Sequence, residues 1–92
     1  MIEFEWDPKK AASNLAKHGV SFDEGASAFR DPLSLTISDP DHSEDENRYL
    51  LLGQSSDGRL VVVSHTERGA RIRIIGARLA EPRERRDYEE GR

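Results

Sequence analysis

The sequence predicts one α+β domain: a helical hairpin packed on a mainly antiparallel four-stranded sheet, with a short N-terminal strand and a short C-terminal helix. Three observations support this fold class. Helix-capping residues frame two segments in the first third of the chain, the apolar period then shortens to two residues, and turn residues separate the later apolar runs. Ninety-two residues suffice for one compact domain and are too few for two, so residues 1–92 form one predicted unit.

The chain begins with a predicted strand. Residues 2–6, IEFEW, alternate apolar and acidic side chains with a period of two residues. This alternation is typical of a strand that is half buried, here through Ile2, Phe4 and Trp6.

The first predicted helix follows directly. Asp7 is a suitable N-cap and Pro8 suits the first helical position. Gly19 is a natural end for the helix, so one helix is expected between Pro8 and Gly19.

A capping box predicts the second helix. Ser21 and Glu24 have the spacing of this motif, which places the helix at residues 22–30, and the Asp31-Pro32 pair ends it. The two helices are expected to form a hairpin. Its predicted buried contacts recur at near-helical spacing and are Ala11, Leu15, Phe22, Ala26 and Phe29.

Four apolar runs after Pro32 predict the sheet, and in order they read LSLTIS, RYLLLGQS, RLVVVSHT and RIRIIGAR. The first alternates with a period of two, and the next two are nearly continuous apolar runs, as in buried strands. Turn residues at 56–58 and a tight connection at 67–70 predict that the last three strands form an antiparallel meander. Pro82 then opens a short helix, PRERRDYEE, which is expected to dock through Tyr88 because it has almost no apolar face.

Basic charge is concentrated in the last part of an acidic chain. The net charge is -4; residues 1–57 hold five Lys or Arg against twelve Asp or Glu, and residues 58–92 hold nine against six. All nine of these cations are arginine, whose planar fork matches phosphate or carboxylate oxygens two at a time. The distribution therefore indicates an anion site toward the C-terminal end.

Three of these arginines lie in the last predicted strand. In an ideal strand Arg71 and Arg73 share one face while Arg78 points to the other. Gly76 predicts a bulge or kink that would turn Arg78 back toward the face of Arg73. We expect the set to present an anion site. The alternative partners for each single arginine are solvent, Glu67 and Glu81.

The histidines do not form a metal motif. His18, His42 and His65 lie far apart, lack a helical pair spacing, and the chain has no cysteine, so no metal site and no cofactor are expected. His65 is interpreted as a hydrogen-bonded residue at the border of the core, and His18 as a cation at a helix end.

The loop DPDHSEDENR at residues 39–48 gathers five carboxylates. Its start is similar to a calcium loop, but its sixth position lacks glycine and no glutamate ends it, so we interpret it as a solvated hairpin loop. Two alternative roles for this loop stay open. It could bind a cation weakly, or it could have a chemical role in which His42 or Glu46 approaches the arginine strand.

Composition excludes several other classes of protein. The absence of cysteine excludes a disulfide framework, and the N-terminus lacks the basic start and long apolar run of a signal peptide. No apolar run reaches the roughly 20 residues that span a bilayer. A cytoplasmic protein without a membrane role is expected.

Five stretches, in their order and spacing, resemble the BrnT family of bacterial toxins: FEWDPKKAASNLAKHGVSF, FRDP, DHSEDENRYLLLG, TERGARIRIIGAR and ERRDYEE. The resemblance spans nearly the whole chain. It implies a RelE-like fold and the toxin role in a type II toxin-antitoxin pair, with metal-independent endoribonuclease activity that arrests translation. It also implies a BrnA-like antitoxin with a ribbon-helix-helix DNA-binding domain, through which alone the complex contacts and represses its operator.

The resemblance implies that the anion bound by the arginines is an RNA phosphate. Ribonucleases of this fold class promote attack of a ribose 2′-hydroxyl on the adjacent phosphate. Arg68, Arg73 and Arg78 are therefore expected to hold that phosphate and to stabilise its developing charge. Arginine does not serve as a general base, so a further catalytic group is expected.

Glu67 is the first candidate for that base or acid, because it adjoins the arginines in the TERG turn. The candidates behind it are His42, His18 and Tyr88. The other expected RNA contacts are Lys17, His18, Arg71 and Tyr88. For Lys17 a simple role as a helix C-terminal cation is the alternative.

Two positions depart from the family pattern, which usually reads ISARKA where this chain reads IGARLA. A serine hydroxyl is missing at Gly76 and a cation at Leu79, so weakened activity is expected. The alternative function is a catalytically silent module that binds the antitoxin and acts as a co-repressor. A third possible function is direct DNA binding by this chain alone. The sequence does not support it, because it shows no recognition helix with a basic face.

Overall fold

The computed structural model describes residues 2–39, 41 and 47–91. Within them the chain forms three α-helices and a five-stranded sheet, so the α+β prediction is confirmed. The elements, in chain order, are β1 (Glu3–Glu5), α1 (Pro8–His18), α2 (Phe22–Ser27), a 3₁₀ turn (Ala28–Arg30), β2 (Leu35–Ser38), β3 (Arg48–Gln54), β4 (Leu60–Arg68), β5 (Arg71–Leu79) and α3 (Pro82–Glu89).

The strand order is β1-β5-β4-β3-β2, which is one strand more than predicted. β3, β4 and β5 form the expected antiparallel meander, and β1 adds to it in parallel beside the first three residues of β5. β1 joins the sheet because the aromatic side chains in and after it pack on the helices. Phe4 meets Phe29 edge-on with ring centroids 5.1 Å apart, and Trp6 meets Phe22 at 5.9 Å.

Local hydrogen bonds set the ends of α1 where the sequence predicts them. The Asp7 carboxylate accepts a hydrogen bond from the Lys9 N–H at 2.9 Å. Gly19 ends the helix at a φ of 70°, a left-handed conformation that glycine adopts without strain.

The second helix begins as predicted but is shorter. The Ser21 hydroxyl accepts a hydrogen bond from the Glu24 N–H at 2.9 Å, and the helix changes to the 3₁₀ turn at Ala28. The buried Glu24 carboxylate binds Arg59 and Ser55 of the β3–β4 turn instead of completing the capping box. This contact ties the helical hairpin to the sheet.

The core lies between the helical hairpin and one face of the sheet. Its buried side chains are Val20, Phe22, Ala28, Leu51, Val61, Val63, Ile74 and Ala77. Of the predicted hairpin contacts, Phe22 is buried, and Ala11, Ala26 and Phe29 pack against the core. The prediction for Leu15 is wrong: half of its surface is exposed, because α1 faces the sheet through Ala11 and Asn14.

α3 lies against the other face of the sheet, beside β3. The Tyr88 hydroxyl donates a hydrogen bond of 2.5 Å to Asp31 Oδ2, so docking through Tyr88 is confirmed and is polar in character. Among the described residues, no helix has the length and apolar character needed to cross a membrane.

Candidate functional site

A bulge in β5 decides where its arginines point. Ser64 lies opposite Gly76 and His65 lies opposite Ile74, so Ile75 has no counterpart in β4. One extra residue reverses the alternation of the side chains that follow it. The bulge predicted from the glycine in RIRIIGAR is therefore confirmed.

The bulge brings Arg78 to the surface that already holds three other arginines. Side chains that lie opposite each other on neighbouring strands point to the same side of a sheet. The three arginines of β5 lie opposite even-numbered residues of β4, whereas the core residues Val61 and Val63 are odd-numbered. We name this surface the arginine face; it consists of Arg68, Arg71, Arg73 and Arg78 and lies opposite the helical hairpin.

Carboxylates bind all three arginines of β5. The contacts are Arg71 to Glu3 at 3.3 Å and to Glu5 at 3.5 Å, Arg73 to Glu5 at 3.1 Å, and Arg78 to Glu84 through two hydrogen bonds of 2.9 Å. These partners differ from Glu67 and Glu81, which the sequence suggested, because parallel β1 and helix α3 bring other carboxylates closer.

The paired carboxylates stay at the surface. The side chains of Glu5 and Glu84 keep 26% and 24% of their exposure. Their hydrogen bonds to Arg73 and Arg78, respectively, hold the pKa of each carboxyl below its usual value, so both are ionised at neutral pH. Both pairs keep contact with solvent, and such ion pairs are weaker than fully buried ones, which leaves each carboxylate open to competition from another anion.

A cavity of about 170 Å³ lies at the Arg78 end of the arginine face. Its lining residues are Asn14, His18, Leu50, Val62, Ser64, Gly76, Ala77 and Arg78. Gly76 leaves this space open, since a Cβ atom there would meet only Asn14 Oδ1, at 3.7 Å. A histidine, an arginine and a serine are therefore among the residues that border the cavity.

Asn14 attaches α1 to the edge of β5. Its Nδ2 donates to the Ala77 carbonyl at 2.8 Å and to the Val20 carbonyl at 2.9 Å, and its Oδ1 accepts from the Ala77 N–H at 3.2 Å. These backbone groups of β5 lie beyond the end of β1, and Asn14 satisfies them. Sequence reasoning missed Asn14. The available signal was its spacing of four residues from His18, which puts both on one side of the helix.

The first candidate for the catalytic base, Glu67, lies away from this site. Glu67 lies opposite Ile72 on the core side of the sheet, because it is an odd-numbered residue of β4. The proposal of Glu67 as base is thus corrected by the side-chain alternation of its own strand. His42 lies outside the described residues.

The predicted RNA contacts divide into two groups. Lys17 and His18 are exposed in the last turn of α1, and His18 lines the cavity. Tyr88 is held by Asp31, and this hydrogen bond raises the pKa of the Tyr88 hydroxyl. The structure therefore places Tyr88 at the anchor of α3, apart from the residues that line the cavity.

His65 is a core residue. It is 3% exposed, its Nδ1 lies 3.1 Å from the Val63 carbonyl oxygen, and its ring packs against Phe29 and Tyr49. Burial lowers its pKa, so the ring is neutral at pH 7. In the part of the chain that the structure describes, no three potential metal ligands come together.

The chain matches the family model described as the ribonuclease toxin BrnT of type II toxin-antitoxin systems, over residues 6–84. Its fold is similar to the 1.1 Å crystal structure of the Brucella abortus ribonuclease toxin BrnT, with a TM-score of 0.69, 19% sequence identity, and coverage of 88% of this chain and 99% of that one. No curated protein matches the sequence. A family of this kind implies an antitoxin partner. Because the family model covers most of the chain, the protein belongs to the BrnT family of ribonuclease toxins.

Proposed function

We propose that the protein cleaves RNA by attack of a ribose 2′-hydroxyl on the adjacent phosphate, without a metal ion, and thereby arrests translation in the cytoplasm. The observation that carries this proposal is the bulge of β5, which gathers Arg71, Arg73 and Arg78 on the arginine face. In the reaction the 2′-oxygen forms a bond to phosphorus and the bond from phosphorus to the 5′-oxygen breaks. The charge that develops on the phosphate oxygens is what guanidinium groups stabilise.

The arginines differ in their place along the substrate. At about 3.3 Å per residue, Arg71 and Arg73 lie about 7 Å apart, and Arg78 lies about 13 Å beyond Arg73 when the bulge is counted as one position. The spacing of about 7 Å suits adjacent phosphates of one extended strand, and the spacing of about 13 Å corresponds to two such steps. We assign the reacting phosphate to Arg78, because Arg78 alone of the three borders the cavity, and we assign phosphates two and three steps away to Arg73 and Arg71, respectively.

RNA cleavage by the purified chain tests this function. In buffer with a metal chelator, the wild-type protein is expected to cut a single-stranded RNA, and Arg73→Ala or Arg78→Ala should lower the rate about 100-fold to 1000-fold. Arg85→Ala is the matched control, since Arg85 is exposed on α3 and lies outside the arginine face. Cleavage that depends on added metal, or is equal in all four proteins, would contradict the proposal.

A second candidate is the catalytically silent co-repressor. It is favoured by one observation, namely that each arginine of β5 already has a carboxylate partner. This alternative predicts intact RNA with the wild-type protein and unchanged growth of cells that express the chain without an antitoxin. Growth arrest that Arg78→Ala abolishes would reject it.

We also propose that the antitoxin is a BrnA-like ribbon-helix-helix protein that seats an apolar segment beside the arginine face. Leu35, Ile37, Leu50 and Leu52 form an apolar strip there, and Ile37 is 60% exposed. The strip continues into the cavity, since Leu50 and Val62 line both. A segment on the strip would therefore also block the cavity.

The charged residues of α3 indicate which side chains the antitoxin segment carries. Glu84 and Asp87 of α3 form the wall of the apolar strip, so a segment with basic residues beside its apolar ones fits best. The complex would contact its operator DNA, and repress its own transcription, through the antitoxin.

A further inference from the structure

We infer that His18 is the general base of the cleavage reaction and that Asn14 is the residue that positions it. This inference rests on the proposed ribonuclease function and identifies the group that the arginines do not supply. It replaces Glu67, which points to the other side of the sheet.

The guanidinium groups of the arginine face and the carboxylates paired with them are poor candidates for the base. Guanidinium groups stay protonated in proteins, so none of the four arginines can accept the proton. Glu5 and Glu84 are held as anions by Arg73 and Arg78, and an acceptor stabilised in this way is a weak base. Of the histidines that the structure describes, His65 is buried in the core, which leaves His18.

His18 lies close to the arginine that would hold the reacting phosphate. His18 borders the same cavity as Arg78 and Ser64, and it lies in the last turn of α1, where its side chain is exposed. A phosphate held by Arg78 would carry its ribose into the space that His18 borders. The charged groups nearest in the structure are Arg78 of β5, which borders this space, and its partner Glu84 of α3. Lys17 precedes His18 in the same helical turn.

Asn14 restrains the position of the helical turn that carries His18. A general base contributes to catalysis only if it is held within hydrogen-bond reach of the proton that it removes. Asn14 lies one turn before His18, and its three hydrogen bonds to Ala77 and Val20 fix that turn against β5, one residue from Arg78. Asn14 thus links the helical turn that carries the proposed base to β5, the strand that carries Arg78.

The chemical step balances without a cofactor. Neutral His18 takes the proton of the 2′-hydroxyl as the 2′-oxygen attacks phosphorus. The bond between phosphorus and the 5′-oxygen then breaks, and the leaving 5′-oxygen takes a proton from water. The hydroxide that remains takes the proton from His18, which restores the neutral imidazole. The products are a 2′,3′-cyclic phosphate and a free 5′-hydroxyl.

Cleavage kinetics as a function of pH test the role of His18. With a defined single-stranded RNA, His18→Ala should lower kcat about 100-fold to 10000-fold and leave the Kd for RNA within about twofold. The wild-type rate should depend on pH, because only an unprotonated base accepts the proton of the 2′-hydroxyl, and His18→Ala should lose that part of the dependence. Free imidazole should restore part of its activity, which a merely structural role of His18 would not allow. Lys10→Ala, an exposed residue in the first turn of α1, is the control.

Asn14→Ala tests the positioning role. The change should lower kcat by up to about 100-fold, with little effect on KM and with the pH dependence retained, because the base is still present. Asn14→Asp keeps the oxygen that accepts the Ala77 N–H but loses the Nδ2 donor, so its kcat should stay below the wild-type value.

The outcomes separate the two proposals. If the wild-type protein cleaves RNA and His18→Ala cleaves it at the same rate, the role of His18 is overturned and the ribonuclease function stands. A loss of rate that comes with equal loss of RNA binding and no rescue by imidazole also overturns it. If the wild-type protein does not cleave RNA, the proposed function itself fails.

Discussion

Arg78 donates two hydrogen bonds to the carboxylate of Glu84, Nη1 to Oε1 and Nη2 to Oε2, each 2.9 Å long. A guanidinium fork binds phosphate through the same pair of N–H groups. Glu84 therefore occupies the position that the substrate phosphate would take in the proposed reaction. Its Oε1 also accepts the Glu81 N–H at 2.8 Å, so the beginning of α3 and the substrate site share one carboxylate.

Glu84→Gln is expected to strengthen RNA binding. The amide keeps an acceptor for the helix start but removes the negative charge that competes with phosphate. An ion pair that keeps contact with solvent contributes up to about 1 kcal/mol, so the Kd for single-stranded RNA should fall about twofold to fivefold. Fluorescence anisotropy measures it. Glu89→Gln removes the same charge elsewhere on α3 and should have less effect; equal gains in both variants would point to net charge alone.

Stability is expected to fall at acid pH. Hydrogen bonds from Arg73, Arg59 and Arg78 lower the pKa of Glu5, Glu24 and Glu84, respectively, in the folded chain. A lowered folded-state pKa gives stability that is present above the unfolded value, about 4.3, and is lost as the pH falls through the folded value. Thermal unfolding at constant ionic strength should show a steady Tm at neutral pH and a decline below about pH 4.5. A constant Tm down to pH 3 would contradict this coupling.

Arg59→Ala should destabilise the fold more than Arg71→Ala. Glu24 is 7% exposed and would lose its cationic partner, whereas Arg71 pairs with carboxylates that keep contact with water. An unpaired buried carboxylate is costly, and the loss of an exposed pair is nearly neutral. Tm values of the two variants at pH 7 provide the comparison. A similar Tm for both would show that solvent already satisfies Glu24.

Gly76→Ser is expected to fold normally and to raise cleavage activity. A Cβ atom at this position has only Asn14 Oδ1 within 4 Å, and the added hydroxyl would project into the cavity that His18 and Arg78 border. Serine is also the residue usual at this place in the ISARKA pattern. The kcat on a defined RNA is the measurement, with Gly76→Ala as the control that adds bulk without a hydroxyl. Equal kcat values for the two variants would show that the hydroxyl has no role in cleavage.

Ile37→Asp is expected to weaken antitoxin binding at least about tenfold, because it places a charge in the apolar strip. Thr36→Asp is the matched control: it adds the same charge to the neighbouring residue, which points to the other side of β2. Calorimetric titration of each variant with the antitoxin gives the Kd values. Equal weakening in both would show that the strip is not the docking surface.

Several features follow from short-range chemistry and were predictable from the sequence. The Asp7 cap and the Gly19 stop act within one helical turn, and a period of two residues marks the strands. The bulge also belongs here, because one glycine in a strand of alternating residues signals it. These local rules were enough to predict that Arg71, Arg73 and Arg78 share one face.

Long-range packing decided the rest. The parallel docking of β1 gives Arg71 and Arg73 carboxylate partners that are 68 residues away in sequence, and the burial of Glu24 by Arg59 removes it from its capping box. The amide of Asn14 could also not be assigned to Ala77 from the sequence, because the contact exists only where β1 ends. The sequence alone thus determined which groups carry the chemistry and on which strand face they lie. Only the tertiary structure decided what each group pairs with. The partners are distant in sequence and meet only when the whole chain folds, so no pattern in the sequence indicates the pairing.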